Sequence, residues 1–310
     1  MNGDVPDQNQ IATSSFATEK AKRVDELAGA ATASGSTDPI SYSAGNALTL
    51  AGTGGGSSGT FNISTAAAIV AASAGASVAK HGNRRSTSRT GSADVLQELG
   101  VNVECSIETT QKCLDQLGLC FCFAPLFHPS VKHVMKVRKS LDHPTIFNLL
   151  GPLCNPANAP YQILGAGRAE TRETIAKALA KLGTERALVV HSRDGLGEIS
   201  IADTTDVSEV RKTFVTEGTL APSDFRLEQG SLMLVRAGDP KESAEIIQRV
   251  LSGHGGAARD IVIANAAAAL WISGLSDNLE LGAERCATAI DNGQASEMLK
   301  DLVEMTNKGR

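Results

Sequence analysis

The chain has 310 residues, 42% hydrophobic and 20% charged, with a net charge of −5 and a pI near 5.7. This length suits one large or two modest domains around a substantial core, and the composition is that of an ordinary soluble protein. The acidic balance excludes a globally basic surface for nucleic acid, and apolar runs such as 66–74 are too short to span a bilayer.

The first ten residues, MNGDVPDQNQ, are polar and lack the apolar centre of a secretory signal. Six cysteines (Cys105, Cys113, Cys120, Cys122, Cys154 and Cys286) show no CxxC spacing. They read as buried reduced thiols of a cytoplasmic protein, not as metal or redox groups. Residues 17–31 have helical character, and the small-residue stretch that follows reads as a connection to an α/β body.

A short strand is predicted over 47–51. A loop with Gly52, Gly54, Gly55, Gly56 and Gly59 follows it, and then an alanine-rich helix that stops near Gly75. Asn62, Ser64 and Thr65 stand where a helix start is capped. A second strand ends at Lys80. No Asp or Glu lies between Phe61 and Ala93, whereas Lys80, His81, Arg84, Arg85 and Arg89 cluster there. Glycines let several backbone N–H groups converge on one concavity, and a helix N-terminus adds unpaired N–H groups and the positive end of its dipole. The pattern points to an anion, phosphate above all, with the basic residues as charge-assisted donors.

Other readings of the same stretch remain. A Gly/Ser run on its own is often a linker. Gly54-x-Gly56-x-x-Gly59 also matches the dinucleotide-binding pattern, which wants an acidic residue about 20 positions on. That region is acid-free, which disfavours NAD and leaves NADP open. A P-loop is excluded because no Lys follows the last glycine.

Alternation continues downstream. Helices are predicted over 92–99, ending at Gly100, and from a Ser106 cap to Leu117 before Gly118. Strands are predicted over 119–124, 161–165 and 186–191, with a basic helix over 130–141 and another helix over 170–182. Helices joined by SGHGGAARD and SGLSDNLE fill 239–305. The stretch 261–273 reads as a packed core helix and Trp271 as a core anchor. Strands alternating with helices imply a largely parallel sheet covered on both faces, with ligand loops at the strand C-terminal ends.

Gly52-Thr53-Gly54-Gly55, Thr60-Phe61-Asn62-Ile63-Ser64-Thr65 and Lys80-His81-Gly82-Asn83-Arg84 follow one another in order. With these motifs the chain resembles the anthranilate phosphoribosyltransferases, the second enzymes of tryptophan synthesis, over about 15–305. The resemblance implies a glycosyltransferase that moves the 5-phosphoribosyl group of phosphoribosyl pyrophosphate (PRPP) onto anthranilate with Mg²⁺. It also implies an α/β fold with a largely parallel central sheet and helices on both faces. A small helical domain and linker would occupy 1–45 and the α/β domain 46–310, a helical segment near 126–150 packing with the small domain. This chain starts late relative to the family, so the helical domain, often the dimer contact, would be shortened; a homodimer is one expectation, and no membrane or nucleic-acid partner is expected.

Carried over residue by residue, the resemblance assigns PRPP to Gly52, Gly54, Gly55, Gly56, Thr60, Asn62, Ile63, Ser64, Thr65, Lys80, His81, Gly82, Asn83, Arg84, Ser88 and Ser92. It assigns anthranilate to Gly52, Asn83 and Arg138, with His128 or Pro129 at the entry, and the metal to Ser64 and Glu198. No residue is assigned as acid or base. Three positions depart from the family: Gly56 and Gly197 stand where Asp is usual, leaving Glu198 with Asp194 upstream, and Arg85 stands where Ser is usual. An impaired paralogue that binds a phosphorylated ligand without turnover, and a pyrimidine nucleoside phosphorylase, remain as alternatives.

Overall fold

A computed structural model describes residues 26, 47–53, 59–84, 91–129 and 147–308. The predicted helices at 17–31 and 130–141, the proposed 1–45 domain, and Gly54, Gly55, Gly56, Arg85, Ser88, Arg89 and Arg138 lie outside them, save Glu26 within the first helix.

Seven strands form one sheet: β1 (Leu48–Gly52), β2 (Val78–Gly82), β3 (Leu119–Phe123), β4 (Tyr161–Gly165), β5 (Arg186–Ser192), β6 (Thr205–Arg211) and β7 (Phe214–Leu220), in the order β3-β2-β1-β4-β5-β6-β7. The first five are mutually parallel, and β6 and β7 add an antiparallel hairpin at one edge. The predicted α/β sheet is thus present. The hairpin was not anticipated, because its outer strand Phe214–Leu220 is exposed along most of its length and carries no apolar alternation. From β1 the chain moves outward to β2 and β3, then crosses back to place β4 on the other side of β1. In an open α/β sheet such a reversal opens a crevice at the strand C-termini, where ligands bind.

The helices follow from local chemistry. Helix α1 (Ile63–Ser73) is capped by Asn62, whose Oδ1 accepts from Thr65 N–H at 3.1 Å, and it has no acid in its first turn. Helix α2 (Ser92–Glu98) follows the loop after β2. Ser106 caps α3 (Ile107–Leu117), which ends on left-handed Gly118 as predicted. Two short helices, α4 (Ala124–Phe127) and α5 (Phe147–Leu153), fall at the two ends of the helical segment expected near 126–150; the first takes over the last residue of the predicted third strand. Helix α6 (Ala169–Lys181) precedes β5, and α7 (Pro240–Leu251), α8 (Ala257–Ile272), α9 (Leu279–Asp291) and α10 (Gln294–Asn307) close the chain.

The core sits where α8 packs between α1 and α9. Both α1 and α8 are rich in alanine, and nine residues of the first and eleven of the second are buried. Short side chains let the helices approach closely: a Cβ on Gly282 of α9 would come within 3.0 Å of the Ala267 carbonyl. Trp271 is less buried than an anchor would be; the Arg186 guanidinium lies over its ring at 4.1 Å. All six cysteines are free and five are buried, and burial pushes the thiols of Cys113 and Cys154 up to about 12 and 11. That matches the reading of unreactive thiols.

At the end of β2, a Cβ on Gly82 would meet Ser92 Oγ at 2.1 Å and Phe121 at 2.9 Å. Gly82→Ala is expected to destabilise the chain by about 1–3 kcal/mol in chemical denaturation, and Ser92→Gly in the same chain to recover part of that loss.

Candidate active site

The C-terminal ends of β1, β2 and β4 and the segment after β5 meet at the strand-order reversal. Thr53 links the first and third of these: its N–H donates to the Gly165 carbonyl at 2.8 Å, and its hydroxyl accepts from Gly167 N–H at 2.9 Å. A Cβ on Gly165 would lie 1.9 Å from the Gly197 carbonyl, so only glycine lets β4 and the 193–204 loop approach this closely. Beyond the glycine loop, Gly59 and Phe61 pair with Ala237 and Val235 as an antiparallel bridge that leads the chain into α1.

Lys80 is the centre of the site. It is 3% exposed, and its ammonium donates to the Leu50 carbonyl and to Ser64 Oγ, both at 3.0 Å. Ser64 donates in turn to Asn62 Oδ1 at 3.3 Å, and Asn62 N–H is held by the buried Ser243 hydroxyl at 2.8 Å. Thus Asn62, Ser64 and Lys80, assigned separately from sequence, form one hydrogen-bonded row across the first turn of α1. Burial pushes the Lys80 pKa down to about 7, against the pull of Glu198. Burial likewise raises Glu198 to about 7; the Lys80 charge opposes this and the Asp194 charge adds to it. Each group strains toward its neutral form for want of a full counter-charge.

His81, the next residue on β2, meets His128. Its Nδ1 lies 3.1 Å from the Gly151 carbonyl, which can only accept, so Nδ1 carries the proton. Its Nε2 then accepts from His128 Nε2–H at 3.2 Å. Burial, with the neighbouring His128 and Lys80, holds the His81 pKa down near 3 despite the Gly151 hydrogen bond. His81 is therefore a neutral wall of the site.

The other assigned residues are placed as follows. Gly52 is exposed at the end of β1 and Thr60 is half-buried in the bridge. Ile63 and Thr65 turn their side chains into the interior, at 1% and 0% exposure, and face a ligand only through backbone. Asn83 is exposed, its Oδ1 taken by Arg84 N–H at 2.7 Å, and Ser92 Oγ lies 3.5 Å from the Asn83 carbonyl. The Arg84 guanidinium is engaged elsewhere, by Asp94 at 3.5 Å, Glu104 at 2.8 Å, Gln97 and the ring of Phe123. The depression lined by Arg84, Asp94, Gln97, Glu98 and Pro240 belongs to these ion pairs and holds none of the Lys80 chemistry.

Among the described residues, no group of three or more His, Cys, Asp or Glu converges on a metal position. Asp194 is already used: Leu196 N–H at 3.0 Å and Ser200 Oγ at 2.6 Å both donate to it. What remains is the under-compensated Glu198 carboxylate and a lone pair on Ser64. Those hard oxygens fit a Mg²⁺ that keeps its waters and takes the rest of its shell from phosphate, because Mg²⁺ needs few protein ligands. Sequence reading passed over Gly165 and Asn265; the signals were a Gly-Ala-Gly after a strand and one amide inside an alanine-rich helix.

A crevice at a strand-order reversal, floored by a helix N-terminus and a buried lysine, defines an α/β transferase of phosphorylated sugars. The glycosyl transferase family, a/b domain, matches residues 44–296. An anthranilate phosphoribosyltransferase of Rhodopirellula baltica is 47% identical over 287 residues, covering 92% of this chain and 84% of that protein. One from Thioalkalivibrio sulfidiphilus is 45% identical, covering 86% and 79%. The crystal structure of the Thermus thermophilus enzyme superposes with a TM-score of 0.85 at 37% identity, covering 91% of this chain and 85% of the other. A Saccharomyces cerevisiae enzyme in complex with PRPP and Mg gives 0.84 at 30% identity, covering 98% and 88%. The chain belongs to the anthranilate phosphoribosyltransferase family.

The histidine pair sets an acid limit. The folded-state pKa of His81 lies below its unfolded value of 6.5, so the unfolded chain binds the extra proton and stability falls as pH drops from 6.5 toward 3. His81→Asn, which keeps a donor for Gly151, is expected to remove about 1.4 kcal/mol per pH unit of that slope. Denaturation curves of both chains between pH 7 and 4 measure it.

Proposed function

We propose that this chain transfers the 5-phosphoribosyl group of PRPP to the amine of anthranilate, giving N-(5-phosphoribosyl)anthranilate and pyrophosphate. The observation that carries the reading is the Lys80–Ser64–Asn62 row at the crevice. It sets a buried cation and a helix N-terminus where a departing pyrophosphate needs donors. The PRPP complex of the yeast relative, and another yeast structure in complex with 4-fluoroanthranilate, support the choice of substrates.

The reaction breaks the C1–O bond to pyrophosphate, forms C1–N, and releases one proton from the amine. An arylamine is neutral near pH 7, so no strong base is needed. The barrier lies in charge separation as C1 becomes cationic and pyrophosphate leaves, and fixed donors act directly on it. The first-turn N–H groups of α1 and the glycine-loop residues Gly52, Gly54, Gly55 and Gly56 would hold the phosphates. An arriving polyanion would restore the full charge of Lys80, whose pKa burial had depressed. Thr60, Gly82, Arg84, Ser88 and Ser92 would complete the PRPP side, Arg84 through backbone because its side chain is committed to Asp94 and Glu104. Bound Mg²⁺, held by Ser64 and Glu198, would add divalent charge to the leaving group. Asn83 and Arg138 would orient anthranilate beside the His81–His128 wall.

Gly197 stands beside Glu198 with a backbone that is not left-handed, and a Cβ there would meet the Ala166 carbonyl at 3.4 Å, an ordinary contact. Anthranilate consumption, followed by fluorescence across a Mg²⁺ titration, tests the assignment. Turnover is expected in the unmodified chain, and Gly197→Asp is expected to fold normally and to shift half-saturation to lower Mg²⁺. Absence of turnover in both chains would leave phosphate-ligand binding without catalysis as the better reading. Arg138→Lys gives up a planar bidentate donor for a point charge; KM for anthranilate is expected to rise about 10- to 100-fold, the range of one charge-assisted hydrogen bond, with KM for PRPP within twofold.

A further inference from the structure

We propose that Asn265 is a positioning residue for Glu198: its buried carboxamide fixes the Ile199 peptide and thereby the aim of the neighbouring carboxylate. The inference rests on the reading of Glu198 as the carboxylate that faces the metal.

Helix α8 is apolar from Ile261 to Ile272 except at Asn265, which is 2% exposed. An amide buried among alanines is costly unless it is paired, and this one is paired throughout. Its Oδ1 accepts from Ile199 N–H at 3.1 Å, and its Nδ2 donates to the Ile199 carbonyl at 2.8 Å and to the Ile261 carbonyl of its own helix at 2.8 Å. Taking both N–H and C=O of one residue reproduces the paired bonds of an antiparallel ladder. A single side chain thus acts as a one-residue strand partner.

The tie falls where the loop most needs one. Strand β5 ends at Ser192 and β6 begins at Thr205, so Glu198 sits on a connection without strand pairing of its own. Asp194 braces that loop internally through Leu196 and Ser200, and the Gly165–Gly197 contact limits it on one side. Among the described residues, the Asn265 pairing ties it by side-chain hydrogen bonds to the core helix, with Leu196, Ile199 and Ile201 buried in the same core cluster. Ile199 is fully buried and Glu198 half-buried, and the Ile199 N–H that Asn265 holds belongs to the peptide joining the two. A rotation of that peptide would therefore move the Glu198 carboxylate relative to Lys80, whose charge it feels. A buried amide that merely satisfied the loop would affect stability alone. A positioning residue affects metal affinity through Glu198.

Calorimetric titration of Mn²⁺ into the full chain with inorganic pyrophosphate separates the two, using Asn265→Ala, Glu198→Gln and the double variant. Each single change is expected to weaken Mn²⁺ about tenfold, Asn265→Ala as loss of an outer partner of a metal ligand does and Glu198→Gln by replacing a carboxylate ligand with a neutral amide. The double variant is expected to be no weaker than Glu198→Gln, and affinity for metal-free pyrophosphate to stay within twofold throughout. Unchanged Mn²⁺ affinity in Asn265→Ala, or an equal further loss in the Glu198→Gln background, overturns the positioning role. Unchanged affinity in Glu198→Gln overturns instead the assignment of Glu198 to the metal. Should Asn265→Ala not fold, Asn265→Asp keeps the shape and the acceptor while losing the Nδ2 donors, and the same weakening is expected. Failure of both variants to fold overturns the inference and makes Asn265 a folding residue.

Discussion

A buried ammonium ties the edge of the sheet together. Lys80 leaves β2, crosses to the Leu50 carbonyl of β1 and reaches Ser64 in the first turn of α1. Three consecutive elements are thereby set by one side chain, and the cost of burying it appears as a pKa pushed down to about 7. Burial leaves that cation short of counter-charge, and under the proposed reaction a bound polyanion would supply it.

Everything around Lys80 depends on close approach. Alanine faces on α1 and α8 bring the helices together, Gly165 admits the 193–204 loop against β4, and Gly82 admits α2 and β3 against β2. Added side-chain bulk at any of these would push a loop out of the crevice. Rigidity therefore comes from small residues packed tightly and not from large ones, and the buried carboxamide of Asn265 is engaged at both its oxygen and its nitrogen.

The acidic side of the site is spare. Asp194 spends both oxygens on its own loop, and the half-buried Glu198 is left in a well-braced segment. A Mg²⁺ that keeps water and phosphate ligands asks no more of a protein. This explains how a chain with Gly197 beside its one available carboxylate can still present a coherent site.

The strands Leu48–Gly52 and Tyr161–Gly165 and the helices Ile63–Ser73 and Ile107–Leu117 were legible because their periodicity and caps are local properties of the chain. So was the anion site, since glycines, a helix cap and an acid-free basic stretch lie within about forty residues of one another. The Phe214–Leu220 strand was not, because edge pairing to β6 sustains it without an apolar face. Nor could the sequence say that Arg84 would turn to Asp94 and Glu104, that Asp194 would be consumed by Ser200, or that Asn265 would reach Ile199, 66 positions away. Composition and short-range pattern determined which residue types this site would hold. Only the crossing of α8 beneath the sheet decided which of them face a ligand and which hold the others in place, because those partners are separated along the chain and meet only when the core closes.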